Sequence, residues 1–358
     1  MSNNDFFRTM IKEIGDVNTY VASDGEHSSE FSGSIDTGCY IFNAALSGSI
    51  FGGVPNNKIT ALAGESATGK TFFVLGLISR FLKDHPESGV IYYDTEAAVT
   101  KAMMEAQGID IQRVIISEQS TVQGFRTHVM RVLDRYIASN KDRPELMLVL
   151  DSLGQLSTEK EVNDIGEGKD TRDMTRAQLI RGTFRALSLK LAKAKCPMII
   201  TNHVSEAIGS YMPMKVMGGG SGLRYAASTI VFLSKKKDRD GTEVIGNIIH
   251  CKMDKSRFTK ENKMVDVKLS YKTGLDRYYG LLELAEKYGL IKKAGHRYEM
   301  PDGAKVFAKE IANNPEKYFN AAMLSALDDV AAIEFKYGSG ERNTSDGQET
   351  DDSTEETA

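Results

Sequence analysis

The chain has 358 residues, 41% of them hydrophobic, which is long enough for one large domain and a smaller one. Its net charge of −4 is uneven, because residues 339–358 hold −6 and the rest of the chain is at +2. No apolar stretch is long enough to cross a bilayer, and the first residues lack the apolar core of a signal peptide. Three cysteines without metal-binding spacing indicate reduced, buried thiols. We therefore expect a cytoplasmic protein with no contact to membranes.

The first functional signal is a glycine-rich loop between a short apolar strand, Ile59–Ala63, and a helical pattern, Phe72–Leu82. The loop consists of Gly64, Glu65, Ser66, Ala67, Thr68, Gly69, Lys70 and Thr71. Glycines let successive backbone N–H groups point at phosphate oxygens, and the helix start adds partial positive charge. Lys70 is expected to reach the β and γ phosphates, and Thr71 to bind Mg²⁺. The sequence therefore predicts a P-loop that binds ATP or GTP.

Apolar runs typical of buried strands follow, with helical patterns between several of them. The runs are Val90–Tyr93, Val114–Ile116, Leu146–Leu150, Met198–Thr201 and Ile230–Leu233, and the helices include Thr121–Ala138 and Arg172–Ala194. This alternation predicts an α/β fold with a mostly parallel central sheet and helices on both faces. A later hairpin is predicted from Thr229–Ser234 and Gly246–Cys251, which flank the polar turn Lys235–Thr242.

From about residue 276 the elements become shorter. A short helix, Gly280–Tyr288, and a longer amphipathic stretch, Asn314–Phe335, predict a small α+β domain. We divide the chain into an N-terminal arm (1–30), a core (31–275), a small C-terminal domain (276–338) and an acidic tail (339–358). The arm carries one apolar cluster, which consists of Phe6, Phe7, Met10, Ile11 and Ile14.

Polar residues at the strand ends are candidate site residues, because ligands of such sheets bind at the carboxyl ends of the strands. Asp151 is predicted to hold the hydration shell of Mg²⁺. Either Asp94 or Glu96 could accept a proton from the water that attacks the γ-phosphate, or both could face solvent at a polar strand end. His203 could contact the γ-phosphate, or it could be a structural histidine.

The order of these motifs resembles the RecA family of recombinases. The stretches that carry the resemblance are Ile35–Gly38, Ala45–Gly48, Gly52–Pro55, Gly64–Thr71, Tyr93–Glu96, Leu150–Gly154, Ile200–His203, Met217–Gly222, Ile291–Gly295 and Asn314–Glu316. The chain looks most like the phage members of this family, and His203, which stands where bacterial members have glutamine, matches the phage pattern. The resemblance covers roughly residues 35–358 and implies a RecA-type P-loop ATPase core with a small C-terminal domain.

A member of this family is expected to be an ATP-dependent DNA recombinase. The resemblance implies helical filaments on single-stranded DNA and strand exchange with homologous double-stranded DNA, in recombination, repair and replication. ATP and Mg²⁺ would be the cofactors. The implied partners are both forms of DNA, further copies of the chain, and mediator and single-strand-binding proteins.

The resemblance also implies roles for individual residues. Glu96 would be the general base, and His203 would couple the γ-phosphate to DNA binding. Lys255 and Arg257 would reach the γ-phosphate bound by a neighbouring protomer, so that hydrolysis depends on assembly. The N-terminal arm would dock on a neighbouring core.

The first of two expected DNA-binding loops spans about Gln155–Thr171. It leads into a helix on which Arg172 and Arg176 lie at i and i+4, and we predict that this pair contacts DNA. Arg181 and Arg185 fall on the opposite face of the same helix and are not expected contacts.

The second expected loop spans about Val204–Gly222. The residues predicted to contact DNA are Tyr211, Met212, Lys215, Gly218, Gly219 and Gly220. Lysine would bind phosphate, and an apolar tip would insert between bases without reading their identity. The basic run Lys235–Arg239 is either a solvated hairpin turn or an auxiliary patch that binds duplex DNA.

Two other functions stay open. One is a ring-forming motor of the RecA fold, such as a replicative helicase. The other is an ATP-gated protein that coats single-stranded DNA without catalysis, which the presence of Glu96 and Asp151 disfavours. The acidic tail, predicted to be disordered, either maintains solubility or occupies a basic DNA groove until DNA displaces it.

Overall fold

The computed structural model describes residues 3–16, 19–23, 33–139, 142–169, 174–206, 215–218 and 220–338. The helices are α1 (Asn3–Ile14), α2 (Tyr40–Ser47), α3 (Lys70–Asp84), α4 (Lys101–Ala106), α5 (Val122–Ala138), α6 (Glu159–Gly166), α7 (Arg176–Ala194), α8 (Ser221–Ala226), α9 (Leu281–Lys287), α10 (Ala308–Asn313), α11 (Pro315–Tyr318) and α12 (Ala321–Phe335). The strands are β1 (Ser34–Ile35), β2 (Val54–Pro55), β3 (Ile59–Gly64), β4 (Gly89–Asp94), β5 (Val114–Glu118), β6 (Leu146–Asp151), β7 (Met198–Glu206), β8 (Lys215–Met217), β9 (Thr229–Asp240), β10 (Glu243–Ser256), β11 (Met264–Ser270), β12 (Gly274–Leu275), β13 (Lys292–Ala294), β14 (Arg297–Glu299) and β15 (Lys305–Val306). Short 3₁₀ turns cover Ile111–Arg113 and Leu153–Gln155.

Within the described residues, the central sheet has ten strands in the order β12-β11-β10-β9-β3-β7-β6-β4-β5, with β8 paired to β7. The stretch from β9 to β5 is parallel. β10, β11 and β12 extend it with antiparallel pairs. This arrangement confirms the predicted α/β fold with a mostly parallel sheet.

Side chains of the central strands alternate between two hydrophobic clusters, one on each face of the sheet. In β4, Val90 and Tyr92 belong to one cluster, and Ile91 and Tyr93 belong to the other. Residues of α2, α3, α9 and α12 complete the first cluster, and residues of α5 and α7 complete the second. Because helices cover both faces, a site can form at the carboxyl ends of the strands.

The C-terminal part contains the antiparallel sheet β13-β14-β15 and helices α9 to α12. Its buried side chains share the first cluster of the central sheet, and Asp328 accepts hydrogen bonds from the Ser49 hydroxyl (2.6 Å) and the Ile50 N–H (2.8 Å). The amphipathic stretch Asn314–Phe335 contains two helices, α11 and α12, and the Asn320 side chain caps α12 at the Met323 N–H. The domain boundaries themselves stay a prediction.

One strand prediction and one turn prediction were wrong in detail. Val114–Ile116 is not buried, since β5 is the last strand of the described sheet and leaves Ile115 61% and Ile116 46% exposed. The basic run Lys235–Arg239 is not in a turn but within β9, and the hairpin turns at Gly241, whose φ of +59° favours glycine. The long antiparallel pair of β9 and β10 holds that run in an extended conformation.

The N-terminal helix α1 exposes the apolar cluster expected from the sequence, including Phe6, Phe7, Met10 and Ile14. Docking of this helix on a neighbouring core stays a prediction. Among the helices that the structure describes, none is both long and apolar enough to span a membrane.

Candidate nucleotide-binding site

The P-loop connects the end of β3 to the start of α3, as predicted. Gly69 precedes α3 with φ +96°, a conformation that favours glycine. Gly64 packs so closely that a Cβ atom there would lie 2.7 Å from Thr68 Oγ1 and 2.8 Å from the Leu233 carbonyl oxygen. The loop is therefore shaped by glycines at both ends, and the 15-residue helix behind it presents its amino terminus to the loop.

Lys70 is buried and folds back over the loop. Its Nζ donates to the carbonyl oxygens of Gly64 (2.9 Å) and Glu65 (2.8 Å). Burial lowers the pKa of Lys70, and the nearby carboxylates of Asp151 and Glu96 oppose that change. The Lys70 ammonium group donates here to uncharged loop carbonyls. It can transfer these hydrogen bonds to a phosphate, whose negative charge makes them stronger.

Asp151 lies at the end of β6 and accepts three hydrogen bonds. Its Oδ2 accepts from Thr71 Oγ1 (2.9 Å) and from the Tyr92 hydroxyl (2.7 Å), and its Oδ1 accepts from the Thr201 hydroxyl. Carboxylate and hydroxyl oxygens this close are the ligands that Mg²⁺ prefers beside phosphates. The pair Thr71 and Asp151 therefore fits the predicted metal site, whereas Tyr92 and Thr201 were not anticipated.

Glu96 lies in the turn that follows β4. Asp94 Oδ1 fixes this turn by accepting the N–H groups of Glu96 (3.0 Å) and Ala97 (2.8 Å). Since β4 and β6 pair in parallel with Asp94 opposite Asp151, the turn lies beside the residues that follow β6. Asp94 is thus a structural residue of the turn, and Glu96 is the carboxylate directed at the site.

The side chain of Glu96 contacts two neighbouring strand ends. Its Oε1 accepts from Ser152 Oγ (2.6 Å) and lies 2.9 Å from His203 Nε2. Burial acts to raise the pKa of Glu96, but the hydrogen bonds from Ser152 and His203 and the positive charge of Lys70 lower it below its ordinary value. Glu96 is therefore an ionised carboxylate at neutral pH. The structure thus places Glu96, which follows β4, beside His203, which lies on β7.

The geometry agrees with comparisons to known proteins. Residues 9–276 match the RecA N-terminal domain family. The chain belongs to the RecA family. It is 31% identical over 253 residues to the Recombination and repair protein of Enterobacteria phage T4 (UvsX), a match that covers 71% of this chain and 63% of the T4 protein. The aligned region thus spans less than two thirds of that relative.

Bacterial RecA proteins match a larger share of the chain at lower identity. The protein RecA of Chloroherpeton thalassium is 25% identical over 319 residues, which cover 87% of this chain and 85% of the relative. The protein RecA of Ruminococcus albus is 26% identical over 342 residues, which cover 90% and 82%. The expected family, including its phage branch, is confirmed.

The second loop of this RecA-family chain begins at the nucleotide site. Strands β7 and β8 form an antiparallel pair, with Val204 opposite Met217. The Gly218 N–H donates to the His203 carbonyl oxygen (3.0 Å), and Asn202 Nδ2 donates to the Gly218 carbonyl oxygen (2.8 Å). Gly220 precedes α8 with φ +75°. Tyr211, Met212, Gly219 and the side chain of Lys215 lie outside the described residues, so their expected DNA contacts stay predictions.

The first loop contains a helix, α6, that was not predicted. Thr158 and Glu161 form a capping box at its start, a pattern that the sequence displays. The guanidinium of Arg176 donates to the carbonyl oxygens of Leu156 (2.7 Å) and Gly154 (2.8 Å) and so anchors the base of this loop. Arg172 lies outside the described residues. DNA contact by either arginine stays a prediction.

Lys255 and Arg257 lie far from the P-loop of their own chain. Ser256 pairs with Thr229, and Thr229 pairs with Thr60 at the amino end of β3. The P-loop begins four residues further along β3, about 13 Å away at the rise of a strand. Lys255 Nζ instead donates to the carbonyl oxygen of Arg224 (2.6 Å). Burial, followed by the charges of Arg257 and Arg224, lowers the pKa of Lys255.

Arg181 and Arg185 do lie away from Arg176, but they line a basic cavity. This cavity of about 570 Å³ also contains Lys58 and Arg257, and none of the described residues that line it is acidic. Arg181 lies over the ring of Tyr225, with its Cζ 5.3 Å from the ring centroid. A cavity of this charge fits an anionic ligand such as a phosphate group, a role that the sequence pattern did not suggest for these arginines.

Proposed function

We propose that this RecA-family protein is an ATP-dependent DNA recombinase that forms helical filaments on single-stranded DNA and promotes pairing and strand exchange with a homologous duplex. The observation that carries the proposal is the contact between Glu96 and His203. This contact connects Glu96, the carboxylate suited to activate water, to β7, the strand that leads into the second loop. The name of the T4 relative, a recombination and repair protein, supports the same conclusion.

The side chains around the P-loop support the proposal that the protein hydrolyses ATP. Lys70 would move its hydrogen bonds from the loop carbonyls to the phosphates, and the backbone N–H groups of the loop would bind the same oxygens. Thr71 and Asp151 would hold Mg²⁺, which neutralises charge on the phosphate oxygens when bound. Glu96, ionised and close to Lys70, would accept a proton from the attacking water.

Assembly would complete this site. One chain cannot direct Lys255 and Arg257 at its own nucleotide, because both lie at the opposite end of the sheet. The same residues on a neighbouring copy, stacked in a filament, would reach the γ-phosphate and stabilise charge there. Hydrolysis would then require neighbours, which a filament provides at every site except its end.

DNA would bind on the side of the two loops. The contacts predicted there are those of Arg172, Arg176, Lys215 and the glycines 218–220. We also propose phosphate contacts from Arg181 and Arg185, whose basic cavity lies with Lys58 and Arg257 at the opposite end of the sheet. Arg176 contributes by holding the first loop in place. Contacts to phosphate carry no sequence information, so binding without sequence preference is expected.

Electron microscopy on long single-stranded DNA, with a slowly hydrolysed ATP analogue, tests the proposal. Continuous helical filaments, followed by exchange of a labelled strand into a homologous duplex, are the expected results. Discrete rings would favour the motor of the RecA fold instead. Filaments that never hydrolyse ATP, even with DNA, would favour the non-catalytic coat, and bare DNA would contradict the proposal.

A further inference from the structure

The carboxylate of Glu96 is held through only one of its oxygens. Ser152 Oγ (2.6 Å) and His203 Nε2 (2.9 Å) both contact Oε1. No described residue donates a hydrogen bond to Oε2. A carboxylate fixed at one oxygen presents the other in a defined direction, which is the requirement for a base that must meet one water molecule.

The two donors are held by different parts of the protein. Ser152 is fully buried, and its backbone is joined to Thr95: its N–H donates to Thr95 Oγ1 (2.7 Å), which donates to its carbonyl oxygen (2.9 Å). His203 is 36% exposed and lies on β7, the strand that leads into the second loop. Ser152 thus belongs to the fixed strand ends, whereas His203 belongs to the element expected to respond to DNA.

We propose that Ser152 is a positioning residue for ATP hydrolysis, whose hydroxyl orients Glu96 independently of His203. The inference rests on the proposed function. In the step concerned, the water oxygen bonds to the γ-phosphorus while the bond from that phosphorus to the β,γ-bridging oxygen breaks. Oε2 of Glu96 takes the water proton, and ADP leaves with the electron pair of the broken bond. Ser152 sets the direction of Oε2, and His203 adds the dependence on DNA.

A double-mutant cycle tests this role. We would measure kcat and KM for ATP hydrolysis with single-stranded DNA in the full-length wild type, Ser152→Ala, Glu96→Gln and the double variant. Ser152→Ala should lower kcat by about tenfold to a hundredfold, as loss of an orienting partner does, and leave KM within about twofold. In the Glu96→Gln background, the same substitution should change kcat by less than about twofold, because no base remains to be oriented.

A matched pair of variants covers the possibility that Ser152→Ala folds poorly. Ser152→Thr and Ser152→Val have the same shape and differ in the hydroxyl, so threonine should retain activity at least about tenfold above valine. Ser79→Ala, at a buried serine of α3, is the control for loss of a hydroxyl elsewhere and should behave as wild type.

Three results would overturn the inference while leaving the proposed function intact in an active wild type. The first is equal hydrolysis rates with threonine and valine at position 152, and the second is an unchanged kcat in Ser152→Ala. The third is a fall in kcat on Ser152→Ala that is equally large in the wild-type and Glu96→Gln backgrounds. The last result would mean that Ser152 acts through its neighbour Asp151 instead. A wild type that hydrolyses no ATP with DNA would overturn the proposed function as well.

Discussion

His203 Nε2 lies 2.9 Å from Glu96 Oε1, although 107 positions separate the two residues in the chain. The parallel order β7-β6-β4 makes this contact possible, because it places the carboxyl ends of all three strands at one edge of the sheet. Through the Gly218 N–H, the backbone of His203 is also tied to the end of the second loop. The end of the second loop is therefore connected to the carboxylate of Glu96 through a single residue, His203.

Replacing His203 should separate ATP hydrolysis from DNA binding. We expect His203→Ala to lose most of the stimulation by single-stranded DNA, about tenfold or more, as removal of a partner that orients a functional group does. ATP binding should persist, because the P-loop is untouched. The measurement is the hydrolysis rate with and without DNA. His250→Ala is the control, since His250 pairs with Asp266 on a neighbouring strand, and wild-type stimulation in His203→Ala would contradict the prediction.

Removing Arg181 and Arg185 should weaken binding to single-stranded DNA. If each contacts one phosphate, the double alanine variant should lose about one to two units of the slope of log affinity against log salt concentration. Fluorescence anisotropy over a series of salt concentrations measures that slope. The matched control is the pair Arg131 and Arg135, also at i and i+4 and exposed, on α5. An equal effect of both pairs would mean that only general charge matters.

Arg257 should act on the nucleotide of a neighbouring copy. Arg257→Ala alone should hydrolyse ATP slowly, and so should Lys70→Ala, which lacks the phosphate-binding lysine. Mixed filaments should regain part of the activity, because an intact P-loop of one variant can then face an intact Arg257 of the other. The measurement is the hydrolysis rate across mixing ratios. No gain, in filaments shown to contain both variants, would contradict action between copies.

The sequence predicted which residues lie together around the P-loop, because they belong to contiguous motifs at strand ends. Lys70 and Asp151 were predicted from their positions in and after these motifs, whereas position alone left Asp94 and Glu96 as alternatives and only the resemblance to the RecA family favoured Glu96. By contrast, Tyr92 and Thr201 lie inside buried strands, and their bonds to Asp151 depend on the order and register of β4, β6 and β7. That order is a property of the folded chain, which no local pattern reports.

The basic residues show the same limit. The pattern places Arg176 on a helix face but cannot report that backbone carbonyls occupy its guanidinium. Nor can it report that Arg185 shares a cavity with Arg257, since the two are brought together by the packing of distant elements. Helix α6 is different, because the capping box of Thr158 and Glu161 is a local signal from which it could have been predicted.

Glu334 should stabilise the packing of α12 against the residues at the end of α9 and the start of β11 in a pH-dependent way. Its carboxylate, 11% exposed, accepts hydrogen bonds from Lys263 (2.6 Å), Lys287 (2.6 Å) and Tyr288 (2.7 Å). Burial acts to raise the pKa of Glu334, but these partners outweigh it and lower the pKa from 4.5 to about 2. A carboxylate whose pKa is lowered by folding stabilises the folded state most at pH values above the pKa that it has in the unfolded chain. The contribution of Glu334 is therefore complete above about pH 5.

Glu334→Gln should therefore lower the free energy of unfolding by about 2 kcal/mol at neutral pH, the cost of losing hydrogen bonds to a charged group. The difference from wild type should shrink as the pH falls from 4.5 towards 2, because the wild-type carboxylate becomes protonated over that range. Urea unfolding followed by circular dichroism at several pH values measures it. Glu283→Gln, at an exposed position of α9, is the control and should change stability little. A difference that stays constant down to pH 3 would show that the stabilisation does not depend on the charge of Glu334.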